Sequence, residues 1–121
     1  MIYAIRGAAV VGGNTRKAIG DSITGLMDTL LKNNSLKENR IISIVISVTV
    51  DLTAANPATL LRGSGKFAST PLFTVQEAVF DESPRDIIRV LVHARKRSGR
   101  SPVPVYINGA EKLRTDLFPG T

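Results

Sequence analysis

Residues 87–95 read Ile87-Ile88-Arg89-Val90-Leu91-Val92-His93-Ala94-Arg95, and the period assigned to them decides the fold. A helical period groups Ile87, Val90, Leu91 and Ala94. A strand period puts Ile88, Val90, Val92 and Ala94 on one face and Arg89, Leu91 and His93 on the other. The β-branched content favours the strand. Ile41 to Val50 is also rich in β-branched residues and reads as a central strand.

Shorter strands are expected at Ile2 to Ile5, with Arg6 at its end, and at Pro71 to Val75. A last strand, Val103 to Ile107, is flanked by Pro102 and Pro104, which suits a sheet edge. One long helix fits Ile19, Ile23, Leu26 and Leu30, widened by Met27 and Leu31 and capped by Asn14 or Thr15. Gly20 and Gly25 weaken it, so packing must hold it in place. Asn33-Asn34 ends it, and Ser35 with Glu38 has capping-box spacing for a short turn. Pro57 to Leu61 and Ser83-Pro84 read as helical turns. A mixed sheet packed with one long helix is an α+β domain, here one domain over residues 1–121.

Composition narrows the chemistry. The 121 residues contain no Cys, which excludes disulfides, thiolate metal sites and a thiol nucleophile. The single His93 excludes a multi-histidine metal site within one chain, so no metal is expected. The longest apolar-leaning run is far short of a membrane span. Arg6 interrupts the first apolar residues too early for a signal peptide, and a cytoplasmic protein is the expectation. The formal charge of +6 points to an anionic partner without naming it.

The informative feature is arginine at strand positions. Arg89 lies between apolar neighbours, and arginine is seldom buried unless paired. It therefore either meets solvent on a polar face or aims at an anion, as does Arg6. Glu77 reads as a surface residue, or as a site carboxylate if Arg89 is near it. Tyr106 stands on the opposite face from Val105 and Ile107 and fits packing or binding. His93 caps a face or meets solvent. The basic loop Arg95 to Arg100 has few aromatics around it and reads as solvated rather than as a nucleic-acid patch.

These pieces together resemble the AroH-type chorismate mutases. The resemblance rests on Ile5-Arg6-Gly7-Ala8, Val50-Asp51-Leu52, Asn56-Pro57-Ala58 with Arg62, Val75-Gln76-Glu77, Ile88-Arg89-Val90, Val105-Tyr106, and Leu113-Arg114 with Asp116-Leu117. It implies the [3,3] rearrangement of dianionic chorismate to prephenate, with no cofactor and no covalent intermediate. It also implies a pseudo-barrel homotrimer with active sites in clefts between subunits. By the resemblance, Arg89 meets the ether oxygen, Arg6 and Tyr106 hold a carboxylate, and Glu77 accepts a hydrogen bond from the substrate hydroxyl. Arg62, Thr74, Ala58, Leu113 and Arg114 would line the pocket, some from the neighbouring chain. The chain departs from better-known members at Asn56 and Thr59, where those carry an aromatic and a lysine, and at Thr74, where cysteine is common. Two other readings stand beside this one. One is a trimeric imine deaminase of similar architecture, whose motifs are not visible here; the other is a nucleic-acid module using the Arg95 to Arg100 loop.

Overall fold

A computed structural model of the chain describes residues 1–96 and 99–120. Its sheet has five strands: β1 (Ile2–Val10), β2 (Ile41–Val48), β3 (Leu72–Gln76), β4 (Ile87–Arg95) and β5 (Val105–Ile107). They lie in the order β3-β2-β4-β1-β5. β4 is antiparallel to both β1 and β2, while β5 and β3 run parallel to β1 and β2. The sheet is therefore mixed. Residues 87–95 form a strand, as their β-branched content requires.

Helix α1 (Arg16–Asn33) covers one face of this sheet. Thr15 caps it, its Oγ1 accepting from the Ala18 N–H at 3.1 Å, a bond of the kind that stabilises a helix by about 1 kcal/mol. Ile19, Ile23, Leu26, Met27 and Leu30 are fully buried against Ile5, Ile44, Ile46, Ile88 and Val92. Each such side chain contributes about 1.5–3 kcal/mol on leaving water, which overrides the glycine penalty. A second helix, α2 (Pro57–Gly63), packs beside α1, and Gly20 lies opposite Leu60 there.

Several boundaries differ from the sequence reading. β1 does not stop near Arg6 but runs to Val10, because Gly7-Ala8-Ala9 are small enough to lie between β4 and β5. A Cβ on Gly7 would stand 3.0 Å from the Val105 carbonyl oxygen and 3.2 Å from Leu26, so close approach requires glycine. The capping box at Ser35 does not form. Glu38 instead accepts from the Phe67 N–H, across to the α2–β3 connection. No helix starts at Ser83-Pro84, since the Ser83 hydroxyl accepts from the Phe80 N–H and closes a turn. β5 begins at Val105 rather than Val103. The buried Asn34 side chain takes both the N–H and the carbonyl of Val103 and holds it off the sheet.

Candidate active site

The strand register places the site. Tyr106 pairs with Ala8, Ala8 with Arg89, Arg89 with Ser47, and Ser47 with Val75, giving one row across all five strands. These side chains lie on the face that α1 does not cover. Small Ala8 and Ser47 flank Arg89, so nothing bulky fills the space around its guanidinium. Tyr106 stands two strands away, about 10 Å at ordinary strand spacing. Arg6 lies two residues before Ala8 on the same face of β1, opposite Leu91.

A cleft of about 310 Å³ opens here, lined by Arg6, Ser47, Arg89, Leu91, Tyr106 and Arg114 among others. That volume matches the lower end of small-molecule sites. Arg6 is exposed, Arg89 half-buried and Tyr106 buried. A second hollow of about 240 Å³ adjoins it at the end of β3, bounded by Thr49, Asp51, Glu77, Phe80 and Arg85.

Glu77 lines the second hollow and reaches the first through its bond to Arg89. Its backbone N–H continues the β2–β3 ladder by donating to the Val48 carbonyl at 2.9 Å. Its Oε1 accepts from Arg89 Nε at 2.7 Å, with both side chains largely shielded from water. Its Oε2 is buried and has no hydrogen-bond partner among the described residues. A buried carboxylate oxygen without a donor is costly, so a bound donor at that point would be favoured.

The C-terminal turn supplies the remaining wall. A 3-10 helix, Ala110–Arg114, follows Gly109, whose φ of 95° needs no Cβ. Arg114 reaches the cleft with its guanidinium held by Asp116, Nε to Oδ1 at 2.9 Å and Nη2 to Oδ2 at 2.7 Å. That fork is the bidentate geometry that fixes an arginine in place. The Asp116 hydrogen bond first, and Tyr106 to a smaller extent, hold Arg114 above its ordinary arginine value. In return Arg114 lowers the Asp116 carboxyl to about 2. Leu113 packs in a small separate cluster with Ala8, Tyr106, Ala110 and Phe118.

Arg6, Glu77, Arg89, Tyr106, Leu113 and Arg114 are thus brought together on one face. Ala58, Arg62 and Thr74 are not. Thr74 pairs with Ile46, whose side chain is in the core, so it lies on the helix-covered face. Its hydroxyl donates to Asn56 Oδ1 at 2.7 Å, and the same oxygen caps α2 by accepting from the Ala58 N–H. Arg62 donates to the Thr70 carbonyl at 3.0 Å. His93 lies on the open face beside Ser43, outside the cleft lining. Of the basic loop, Arg97 and Ser98 lie outside the described residues, and Arg100 donates to Ser35. Asp116 entered the sequence reading only as part of the resemblance, and Phe118 not at all, because neither belongs to a periodic element.

The family model for chorismate mutase type I matches residues 2–117. The chain belongs to this family. It is 32% identical to the chorismate mutase AroH of Thermus thermophilus, over 97% of both chains. It is 27% identical to the chorismate mutase AroH of Bacillus subtilis, over 97% of this chain and 93% of that one. Its fold matches the solved chorismate mutase from Clostridium thermocellum with a TM-score of 0.85 and 38% identity, covering 92% of this chain and 99% of that one. Family membership accounts for the α+β architecture and makes the chain an intramolecular isomerase of aromatic amino-acid biosynthesis. Among the described residues, no helix is long and apolar enough to cross a membrane.

Proposed function

We propose that the cleft between β4, β1 and β5 is where this family member converts chorismate to prephenate, with Arg89 as its central electrostatic group. In the rearrangement one C–O bond breaks as one C–C bond forms, and no proton leaves the substrate. Negative charge grows on the ether oxygen. A fixed cation there binds the transition state more tightly than the substrate, which is what accelerates a reaction. Arg89, held from behind by Glu77, has that fixed character.

Arg6, Tyr106 and Arg114 form the cationic and hydroxylic wall for a substrate carboxylate. The Glu77 Oε2 atom takes a hydrogen bond from the substrate hydroxyl and so sets the ring's orientation. This unpartnered oxygen beside the Arg89 bond is the observation that carries the reading. The rest of the rate enhancement comes from holding a flexible substrate in its compact reactive conformer. The chemistry needs no cofactor and no metal.

The proposal includes a homotrimer whose sites are completed between subunits. Ala58, Arg62 and Thr74 lie on the wrong face to reach their own chain's cleft, so they can serve only another copy's. Phe73, 67% exposed, and Leu91, 41% exposed, leave apolar surface on the cleft-bearing face that a second copy would cover. One domain over 1–121 and a cytoplasmic setting belong to the same proposal. Loss of chorismate with appearance of prephenate, followed on purified protein of measured mass in solution, tests it. A trimer that leaves chorismate at its uncatalysed rate would overturn the site, and an active monomer would overturn the shared clefts.

A further inference from the structure

Tyr106 sits on a short edge strand for a residue with a binding role. β5 is only three residues long and, among the described residues, pairs on one side alone, with β1. Pro102 and Pro104, just before it, offer no N–H to any neighbour. The backbone therefore fixes the height of Tyr106 on the sheet and leaves its ring to side-chain contacts: Ala8, Ala110, Leu113 and Phe118 pack on it, and Arg114 interacts with its hydroxyl. Phe118 supplies the aromatic contact among these. Its ring centroid is 5.4 Å from that of Tyr106, with the planes tilted by 52°, an arrangement within the favoured range for aromatic pairs. The backbone N–H groups of Leu117 and Phe118 both donate to the Arg114 carbonyl, at 3.0 and 3.1 Å. One turn thus carries the cation that lines the cleft and the ring that backs its tyrosine.

We propose that Phe118 is a positioning residue: it sets the Tyr106 ring, and through it the hydroxyl, in the cleft before substrate arrives. This rests on the reading of the site above. Without Phe118 the ring must be ordered at the moment of binding, so the loss falls on affinity. Arg89 and Glu77 are untouched, so the chemical step should keep its rate.

The test uses the full chain. It has two tyrosines and no tryptophan, so its near-ultraviolet circular dichroism is dominated by Tyr3 and Tyr106, and a Tyr3→Phe background isolates Tyr106. In that background Phe118→Ala should weaken the Tyr106 band and raise KM for chorismate about three- to tenfold, with kcat within about twofold. Phe118→Tyr should restore KM, its own ring adding to the near-ultraviolet signal, and Phe118→Leu, which keeps apolar volume without a ring, should restore neither KM nor the band. If Phe118→Ala does not fold, the leucine and tyrosine variants carry the same comparison. An unchanged KM, an unchanged Tyr106 band, or full rescue by leucine would each overturn the proposal. If the Phe118-bearing parent did not turn over chorismate, the site reading would fall instead. The band would still decide whether Phe118 sets the ring.

Discussion

Arg89 and Glu77 are joined by one hydrogen bond of 2.7 Å that leaves the second carboxylate oxygen of Glu77 buried and unpartnered. The pair is thus satisfied at one carboxylate oxygen and lacks a donor at the other. Arg89 is held by a neighbour whose second oxygen would welcome a substrate donor. Replacing Glu77 by Gln keeps the shape and removes the charge. Hydrogen bonds to charged groups are worth about 1.5–3 kcal/mol, so Glu77→Gln should lower kcat/KM by roughly ten- to a hundredfold. Steady-state kinetics check this, and an unaltered kcat/KM would mean that Oε2 meets no substrate group.

Asp116 fixes the Arg114 fork, so Asp116→Asn should raise KM for chorismate severalfold while the fold persists. Its pH behaviour is determined by the sign of its shift. A lowered carboxyl stabilises the native state above its ordinary range and loses that contribution only as pH falls towards about 2. The KM ratio of variant to parent should therefore be flat from about pH 5 to 9. A ratio that varies across that window would assign the effect to another group.

Asp51 and Asp86 form a contrasting pair at the end of the sheet, with the Asp86 N–H donating to Asp51 at 2.9 Å. Asp86 is pushed above its ordinary value, first by its hydrogen bond with Asp51 and then by burial and the Asp51 charge. Burial pushes Asp51 up, but its hydrogen bonds, those from Asp86 and Thr49 foremost, outweigh that and leave it lowered. A raised acid contributes stability below its unfolded pKa and loses it as pH rises through the folded value. Asp86→Asn should therefore raise Tm at pH 7 more than at pH 3, and asparagine suits the φ of 59° at that position. Equal shifts at the two pH values would contradict the assignment.

Gly7→Ala tests the close packing beneath the cleft. The new methyl would meet the Val105 carbonyl at 3.0 Å and Val90 at 3.1 Å, and β5 would have to move. Overpacking of this kind costs about 1–3 kcal/mol, measurable as a lower denaturation midpoint. KM should rise as well, because β5 carries Tyr106. An unchanged midpoint would show that β5 moves aside freely.

The sheet was legible in the sequence where side chains alternate. Ile41–Val48 and Ile87–Arg95 carry β-branched residues on a strand period, and that period put Arg89 with Leu91 and His93 on the face away from the core. Helix α1 was legible from its apolar stripe. β1 was read too short because Gly7, Ala8 and Ala9 have no strand preference, and only contact with α1, β4 and β5 explains them. The nearness of Glu77 to Arg89 was not legible from their own segment patterns, since the loop from Ala78 to Asp86 joins them and has no regular structure. The position of Thr74 away from the cleft followed from the β2–β3 register, and those of Ala58 and Arg62 from the packing of α2 beside α1, which no local pattern announces. The bond of Arg114 to Asp116 and the packing of Phe118 on Tyr106 are likewise contacts of an irregular turn.

The central claim is that Arg89 stabilises the charge growing on the ether oxygen of chorismate. It is tested most directly by the single-turnover rate of chorismate loss for Arg89→Ala and Arg89→Lys at saturating substrate. The alanine variant should lose a factor of about 10² or more, comparable to removing an oxyanion donor, and lysine should recover only part of it. A parent rate retained by Arg89→Ala would contradict the account.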